Sequence, residues 1–121
     1  MVECLLIDKN PAERKRVSLL LDDLGIRFRE SSAVAEGLKY CNDNFPEVVV
    51  MAAASEGMAS SDFIRQVRRT SRGKKTVVIL YADNPDTDEI GQSILEGASD
   101  FLMQPFDSEL LRFKLHQAGV I

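Results

Sequence analysis

Short apolar runs alternate with segments of helical periodicity along the whole chain of 121 residues. The apolar runs predict five strands, at residues 2–7, 26–30, 48–51, 76–80 and 100–103. The segments between and after them repeat apolar residues every three or four positions, which predicts five helices, at residues 11–24, 34–44, 62–69, 87–96 and from 107 or 108 onward. In the fourth helix we expect Thr87 to be the cap and Ile90, Ile94 and Leu95 to face inward.

This alternation predicts the fold. Strand–helix repeats in a chain of this length need right-handed crossovers, which produce a parallel sheet covered by helices on both faces. We expect an α/β, flavodoxin-like, doubly wound (βα)5 domain of strand order 2-1-3-4-5, with residues 1–121 forming a single unit. Ligands of such sheets bind at the carboxyl ends of the strands, where the strand order reverses. The residues expected there are Asp8, Ala52, Tyr81 and Gln104.

Composition narrows the class of protein. With 45% apolar and 28% charged residues, the chain is not of disordered, collagen-like or coiled-coil type. No apolar run approaches the ~20 residues that cross a bilayer, and no secretory signal opens the sequence, so we expect a cytoplasmic protein. Cys4 and Cys41 are then expected to be free thiols. The net charge of -4 argues against bulk affinity for nucleic acid.

Three stretches at the predicted carboxyl edge carry a family resemblance. They are residues 5–14 (LLIDKNPAER), 46–52 (PEVVVMA) and 96–106 (EGASDFLMQPF). Together they resemble the receiver domain of two-component response regulators, and among these the stand-alone receivers of the chemotaxis-regulator type. The resemblance covers the whole chain, and it implies a bacterial signalling protein with no output domain.

The resemblance also implies which groups a working receiver needs. Two acids after the first strand and one ending the third strand hold Mg²⁺, and the third-strand aspartate accepts the phosphoryl group. A lysine after the fifth strand neutralises the phosphoryl oxygens. A Ser or Thr ending the fourth strand bonds the phosphoryl group and draws an aromatic residue of the fifth strand inward. At the matching positions this chain has Asp8 and Lys9 for the two acids, Ala52 for the phosphoacceptor, Gln104 for the lysine, Tyr81 for the hydroxyl residue and Phe101 for the aromatic residue.

These departures predict a degenerate site. An alanine methyl group cannot be phosphorylated. The charges of Asp8 and Lys9 cancel, whereas three carboxylates and a lysine sum to about -2 and attract a dication, so we expect neither Mg²⁺ nor another cofactor. The chain is thus identified as a pseudo-receiver that lacks the phosphoacceptor aspartate. The resemblance further implies a cis peptide bond before Pro105.

Two residues of this site each have two interpretations. Lys9 either places its ammonium group in the metal's position beside Asp8 or senses an anion. Tyr81 either packs into the vacated pocket or turns outward toward a partner. Ser55 and Glu56, in the loop after the third strand, are better explained by loop polarity than as replacement phosphoacceptors.

Charge is unevenly distributed along the chain. Six cations fall within eleven residues, namely Arg65, Arg68, Arg69, Arg72, Lys74 and Lys75. If the third helix persists, the first, second and fourth of them share one helical face. This basic patch is either a solvated helix end or a surface for an acidic partner, a phosphorylated ligand or nucleic acid.

The functional hypothesis is a non-enzymatic protein-interaction module, an adaptor or modulator that works without phosphorylation. Its expected partners are a histidine kinase, a phosphotransferase or another regulator, with a homodimer left open and neither membrane nor nucleic acid expected. The contact face is expected on the fourth helix, fifth strand and fifth helix, through Ile90, Ile94, Phe101, Met103, Leu111 and Lys114. One alternative is a sensor that binds an anionic nucleotide or second messenger, at the basic patch or near Lys9 and Ala52. A minor alternative is a switchable receiver with an unusual acceptor.

Overall fold

The computed structural model describes residues 2–54 and 57–121. Within these ranges the strands are β1 (Glu3–Ile7), β2 (Arg27–Ser31), β3 (Val48–Ala52), β4 (Val77–Ala82) and β5 (Asp100–Met103). They form one parallel sheet in the order β2-β1-β3-β4-β5. The predicted fold class and strand order are confirmed. Because the chain leaves β1 first toward β2 and then crosses back to β3, a crevice opens above the carboxyl ends of β1 and β3.

Among the described residues, five α-helices connect and follow the strands. They are α1 (Pro11–Asp23), α2 (Val34–Asn44), α3 (Ser60–Val67), α4 (Thr87–Leu95) and α5 (Ser108–Gln117), with a short 3₁₀ turn at Gly73–Lys75. Side chains cap three of them, Asn10 at α1, Asp86 at α4 and Asp107 at α5. Thr87 was expected to cap α4. Asp86 takes that place because its carboxylate accepts hydrogen bonds from two backbone amides of the first turn.

Two hydrophobic cores lie on opposite faces of the sheet. One packs α1 and α5 against the sheet and includes Cys4, and the other packs α2 and α3 and includes Cys41. Both cysteines are buried free thiols, as predicted. Burial raises the pKa of each thiol to about 12, since a thiolate in an apolar core loses its hydration.

The side of helix α4 that faces the solvent differs from the prediction. Ile94 is 55% exposed and Leu95 is 81% exposed, whereas the buried residue of the helix is Ser93. Ile90 is half-buried against the core as expected. The inward prediction for Ile94 and Leu95 was therefore wrong, because the face of α4 that meets α3 is occupied by polar groups that bond to α3.

Helix α3 is also shorter at its carboxyl end than predicted. It ends at Val67, and Gly73 then folds back so tightly that a Cβ there would lie 1.9 Å from the Val67 carbonyl oxygen. Thr70 ties this turn together, because its hydroxyl accepts from the Gly73 amide at 2.9 Å. The expected common helical face of Arg65, Arg68 and Arg72 does not form, since the helix stops before the second of them.

Candidate functional site

The four residues expected at the carboxyl edge of the sheet lie there. Asp8 directly follows β1, Ala52 ends β3, and Gln104 directly follows β5. Tyr81 lies in β4 beside Ala52 in the parallel register. Parallel strands bring their carboxyl ends to one edge, so residues that are far apart in sequence meet at this crevice.

A buried hydrogen bond joins Tyr81 to Asp8. The tyrosine hydroxyl donates to Oδ2 of Asp8 at 2.7 Å, while Oδ1 accepts from the Asn10 amide at 2.9 Å. Asp8 is 5% exposed and Tyr81 is fully buried, with its ring edge-on to Phe106 at 5.6 Å between centroids. Burial raises the pKa of Tyr81 above its ordinary value, and the charge and hydrogen bond of Asp8 raise it further. Of the two interpretations of Tyr81, the structure shows inward packing.

Asp8 is also anchored through its main chain. Its carbonyl oxygen accepts from Nη1 of Arg14 at 2.7 Å, and the same guanidinium donates through Nε to Glu30 at 3.2 Å. Lys9 is exposed at the rim of the crevice, and whether its ammonium group lies beside the Asp8 carboxylate stays a prediction. The backbone and side chain of Asp8 are thus held from both α1 and β4.

Gln104, which the resemblance assigns to the lysine position, bonds to α1. Its Nε2 donates to Oε2 of Glu13 at 2.6 Å, and that oxygen lies 3.5 Å from Nε of Arg16. Arg16 in turn donates to the Phe106 carbonyl at 3.2 Å and stacks over the Phe106 ring. The peptide bond between Gln104 and Pro105 is cis. Sequence reasoning missed Glu13 and Arg16, because only the fold brings α1 against the segment after β5.

An open cavity of about 490 Å³ lies beside Asp8, between the loops that follow β1, β2 and β3. Small apolar side chains make much of its described wall, among them Ala33, Ala35, Ala52, Ala53 and Ala54. Asp8 and Lys9 are the charged residues in that described wall. Ser55 and Glu56 lie outside the described residues. Within residues 2–54 and 57–121, no three acidic, histidine or cysteine side chains converge as a metal site.

The basic patch is not wholly available at the surface. Arg68 is half-buried, and its guanidinium donates to the carbonyls of Gly73, Thr76 and Gly97 at 2.5, 2.6 and 2.8 Å. Burial lowers the pKa of this arginine. The inclusion of Arg68 in a ligand-binding patch was therefore wrong, since it stabilises the junction of α3, the 3₁₀ turn and the loop before β5.

The other cations of this segment have separate surroundings. Arg65 pairs with Asp62 and, at 3.7 Å, with Glu96. Arg72 stacks over the Phe45 ring at 4.2 Å. Arg69, Lys74 and Lys75 are exposed. Arg65 and Arg72 are thus engaged by neighbouring side chains, and a binding face shared by the exposed cations stays a prediction.

Large apolar side chains on α4, β5 and α5 are exposed to solvent. We call this the α4–β5–α5 face and define it by Ile94, Leu95, Met103, Leu110 and Phe113, which are 55, 81, 53, 41 and 57% exposed. Where such side chains form a contiguous patch, they mark a protein contact surface.

Of the residues expected on this face, Ile94 and Met103 are exposed. Ile90 and Phe101 are half-buried against the core, and Lys114 pairs with Asp100 at 2.9 Å. Leu111 was placed on the face wrongly, because it points into the core and is fully buried. Sequence reasoning did not single out Leu95, Leu110 and Phe113 as contact residues, since helical periodicity predicts apolar residues to be core.

Comparison with known proteins decides the family. A family model for the response regulator receiver domain matches residues 4–116. The chain belongs to the response regulator receiver domain family. Receiver domains are signalling modules of two-component systems rather than enzymes, and they interact with histidine kinases and other signalling proteins. None of the helices in the described ranges is long and apolar enough to cross a membrane.

The chain is similar to individual proteins and to solved structures at low sequence identity. Protein PilH of Pseudomonas aeruginosa is 24% identical over 112 residues, which cover 92% of this chain and 92% of PilH. Transcriptional regulatory protein AfsQ1 of Streptomyces coelicolor is 27% identical over 111 residues, which cover 92% of this chain and 48% of AfsQ1. The chain thus spans about half the length of AfsQ1. The crystal structure of chemotaxis protein CheY4 of Vibrio cholerae superposes with a TM-score of 0.86 at 23% identity, covering 100% of this chain and 99% of CheY4.

Proposed function

We propose that this receiver domain is a pseudo-receiver that acts as a phosphorylation-independent adaptor or modulator in two-component signalling. The observation that carries the proposal is the buried hydrogen bond between Tyr81 and Asp8, next to the methyl group of Ala52. The tyrosine hydroxyl satisfies the buried acid of the site internally. The residue beside it carries no nucleophile that could take a phosphoryl group.

The donor set of the site does not fit Mg²⁺, which requires a near-octahedral shell of oxygen ligands that are free to coordinate it. Asp8 supplies one carboxylate, and both of its oxygens already accept hydrogen bonds. Ala52 supplies no donor, and Lys9 brings a positive charge to the rim. The proposed function therefore uses no Mg²⁺, and no step of it passes through a metal.

The hydrogen bond between Tyr81 and Asp8 also favours a single conformational state of the domain. In receivers that switch, a small hydroxyl residue moves toward the phosphoryl group and the aromatic residue of the fifth strand follows it. Here Tyr81 is already turned inward and bonded, and Phe101 is already packed against the core. With no phosphoryl group to add or remove, the α4–β5–α5 face is presented in one form.

The proposed function works through a contact surface of this domain. The α4–β5–α5 face exposes five large apolar side chains, so it suits a signalling protein with a complementary apolar surface. Proposed partners are a histidine kinase, a phosphotransferase or another regulator, and a second copy of the chain is a further outcome of the test.

Phosphorylation is tested by intact mass. The protein is incubated with acetyl phosphate and Mg²⁺, and no phosphoryl adduct is expected. A working receiver of similar size serves as the positive control for the reagent. An adduct that disappears in Asp8→Ala would overturn the proposal in favour of a switchable receiver with an unusual acceptor.

Partner binding by the α4–β5–α5 face is tested by placing a charged residue at two positions whose native side chains are about equally exposed. Phe113→Glu, on the face, and Leu19→Glu, on α1 away from it, replace apolar residues that are 57% and 53% exposed. Phe113→Glu is expected to abolish pull-down of histidine kinases and regulators from the native host, while Leu19→Glu leaves it intact. Equal pull-down by both variants would place the contact elsewhere.

A small-ligand sensor is the second candidate, and the cavity beside Asp8 is the observation that favours it. Its volume of about 490 Å³ lies in the usual range for ligand pockets. Thermal-shift measurements against a panel of nucleotides and second messengers test it. Ala35→Leu fills the cavity from an exposed helical position, and Ala12→Leu on α1 is the control. A shift that Ala35→Leu removes and Ala12→Leu retains would favour the sensor.

A further inference from the structure

A polar cluster joins α4 to the first turn of α3. Oε2 of Glu89 accepts hydrogen bonds from the Ser61 amide at 2.9 Å, the Ser93 hydroxyl at 3.0 Å and the Ser60 hydroxyl at 3.3 Å. Oε1 accepts from the Ser61 hydroxyl at 3.1 Å. The three serines are at most 5% exposed. The Ser60 hydroxyl has a single proton and also lies 3.1 Å from the Ala54 carbonyl oxygen, so its bond to Glu89 is shared. One carboxylate thus receives three hydrogen bonds and shares a fourth in a largely water-excluded contact, where charge-assisted bonds are strong.

The carboxylate also substitutes for a missing helix cap. The residue at the N-cap of α3 is Ala59, whose side chain offers no acceptor. Glu89 reaches across from α4 and accepts from the amide of Ser61 in the first helical turn. Removing it would leave that amide unsatisfied and take a negative charge from the positive end of the α3 dipole. The contact therefore contributes to both helices.

The position of Glu89 determines which side of α4 faces the solvent. Ser93 lies one turn after Glu89 and points the same way, toward α3. Ile94 and Leu95 follow Glu89 by about one and a half turns, since a helix has 3.6 residues per turn. They therefore lie on the opposite side, where they are 55% and 81% exposed.

This arrangement opposes the hydrophobic pattern of the helix. Apolar burial alone favours a rotation in which Ile94 and Leu95 face α3, and the sequence predicts that rotation. We propose that Glu89 is a positioning residue: its bonds to the three serines select the rotation of α4 that presents Ile94 and Leu95 on the α4–β5–α5 face. Without them, α4 turns and buries these two side chains. The rotation itself is independent of the proposed docking function, and only its consequence for partners rests on that function.

Cysteine labelling measures the rotation without any partner. Leu95→Cys places a thiol on the exposed side of α4 and leaves the cluster intact. Ser93→Cys places one on the buried side, where the thiol keeps a weak S–H donor toward Glu89 and the bonds from Ser60 and Ser61 remain. Each is combined with native Glu89, with Glu89→Leu and with Glu89→Gln, and its reaction with N-ethylmaleimide is followed at pH 7 by mass. Background from Cys4 and Cys41 is slow, since both thiols are buried with pKa values of about 12.

Glu89→Leu is expected to slow labelling at position 95 by roughly tenfold or more and to speed labelling at position 93 by a similar factor. Glu89→Gln keeps one acceptor oxygen, and its side-chain NH₂ group can donate a hydrogen bond to the Ser61 hydroxyl oxygen. This variant is therefore expected to retain the native labelling rates. If Glu89→Leu does not fold, Glu89→Ala carries the same test, with circular dichroism as the check on folding.

Two results would overturn the inference. Unchanged labelling rates in Glu89→Leu would show that the cluster does not set the rotation of α4. Labelling rates that rise at both positions 93 and 95 would show that Glu89 only holds α4 in place, and that its loss loosens the helix instead of turning it. Loss of partner binding in the Phe113→Glu variant bears only on docking. Failure of the docking function and failure of this inference are therefore seen in different measurements.

Discussion

Removing a single hydroxyl group tests the bond at the centre of the site. Tyr81→Phe keeps the ring and its edge-on contact with Phe106 but removes the donor that lies 2.7 Å from Oδ2 of Asp8. The substitution creates almost no cavity. The loss is therefore confined to a buried carboxylate oxygen that no longer receives its hydrogen bond.

The burial of this hydrogen bond determines how much stability Tyr81→Phe is expected to lose. A hydrogen bond to a charged group contributes about 1.5–3 kcal/mol net, and an acceptor left unsatisfied in the interior costs a similar amount. Asp8 is 5% exposed, so water replaces the lost donor poorly. We expect the free energy of unfolding to fall by about 2–3 kcal/mol, which corresponds to a decrease in Tm of about 8–12 °C for a chain of this length.

Urea unfolding followed by circular dichroism measures this loss, and the chain offers a matched control. The hydroxyl of Tyr40 donates to Oε1 of Glu3, also at 2.7 Å, but this bond is nearer the solvent. Tyr40→Phe is expected to cost less than about 1 kcal/mol, since water restores the contact. If Tyr81→Phe costs no more than Tyr40→Phe, the bond to Asp8 does not stabilise the site and the reasoning fails.

The pH dependence of stability tests the same contact. Tyr81 has a pKa above the ordinary value of about 10 in the folded protein, so above that pH the unfolded chain loses a proton that the folded chain keeps. The contribution of this pKa difference to the free energy of unfolding is therefore fully present below pH ~10. It declines as the pH rises further, by about 1.4 kcal/mol per pH unit. The raised pKa values of Cys4 and Cys41 also lower the stability at high pH, and they do so equally in the native protein and in Tyr81→Phe. The decline above pH ~10 is expected to be shallower in Tyr81→Phe, and equal slopes would contradict the raised pKa.

Three further predictions concern other parts of the chain. Arg68→Ala should lower the free energy of unfolding by about 2–4 kcal/mol in urea titrations because three carbonyls lose their donor, whereas Arg69→Ala, an exposed neighbour, should change it by less than about 0.5 kcal/mol. Ala52→Asp alone should remain unlabelled by acetyl phosphate and Mg²⁺ in intact-mass spectra, and metal-dependent labelling would refute the account of the site. Cys4 and Cys41 should react with Ellman's reagent only after denaturation, so rapid reaction of the native protein would contradict their burial.

The secondary structure was largely predictable because its signals are local. The bounds of α2 and β5 match the predicted residues 34–44 and 100–103, and most other ends differ by one or two positions. Gly25 after α1 and Pro46 before β3 mark element ends through their own backbone constraints. The doubly wound topology followed from the alternation of strands and helices, and with it the place where Asp8, Ala52 and Tyr81 would meet.

The contacts at that place were not predictable. Tyr81 and Asp8 are 73 positions apart, and Gln104 and Glu13 are 91 apart. Sequence reasoning assigned each position a role from the family but could not pair the side chains. Their pairing depends on distances of a few ångströms between elements, and these are set by how the helices pack on the sheet.

The sequence by itself determined the fold, the family and the residues that occupy the crevice, because periodicity, turn residues and motif spacing are properties of the chain. The tertiary structure alone decided the rotation of α4 and the burial of Arg68. Hydrophobic periodicity predicted Ile94 in the core, but the bonds of Glu89 to α3 turn it to the solvent. A run of cations predicted a surface patch, but three backbone carbonyls hold the half-buried Arg68 at the junction after α3. In both cases hydrogen bonds between distant elements outweigh the local pattern, and such bonds exist only once the chain has folded.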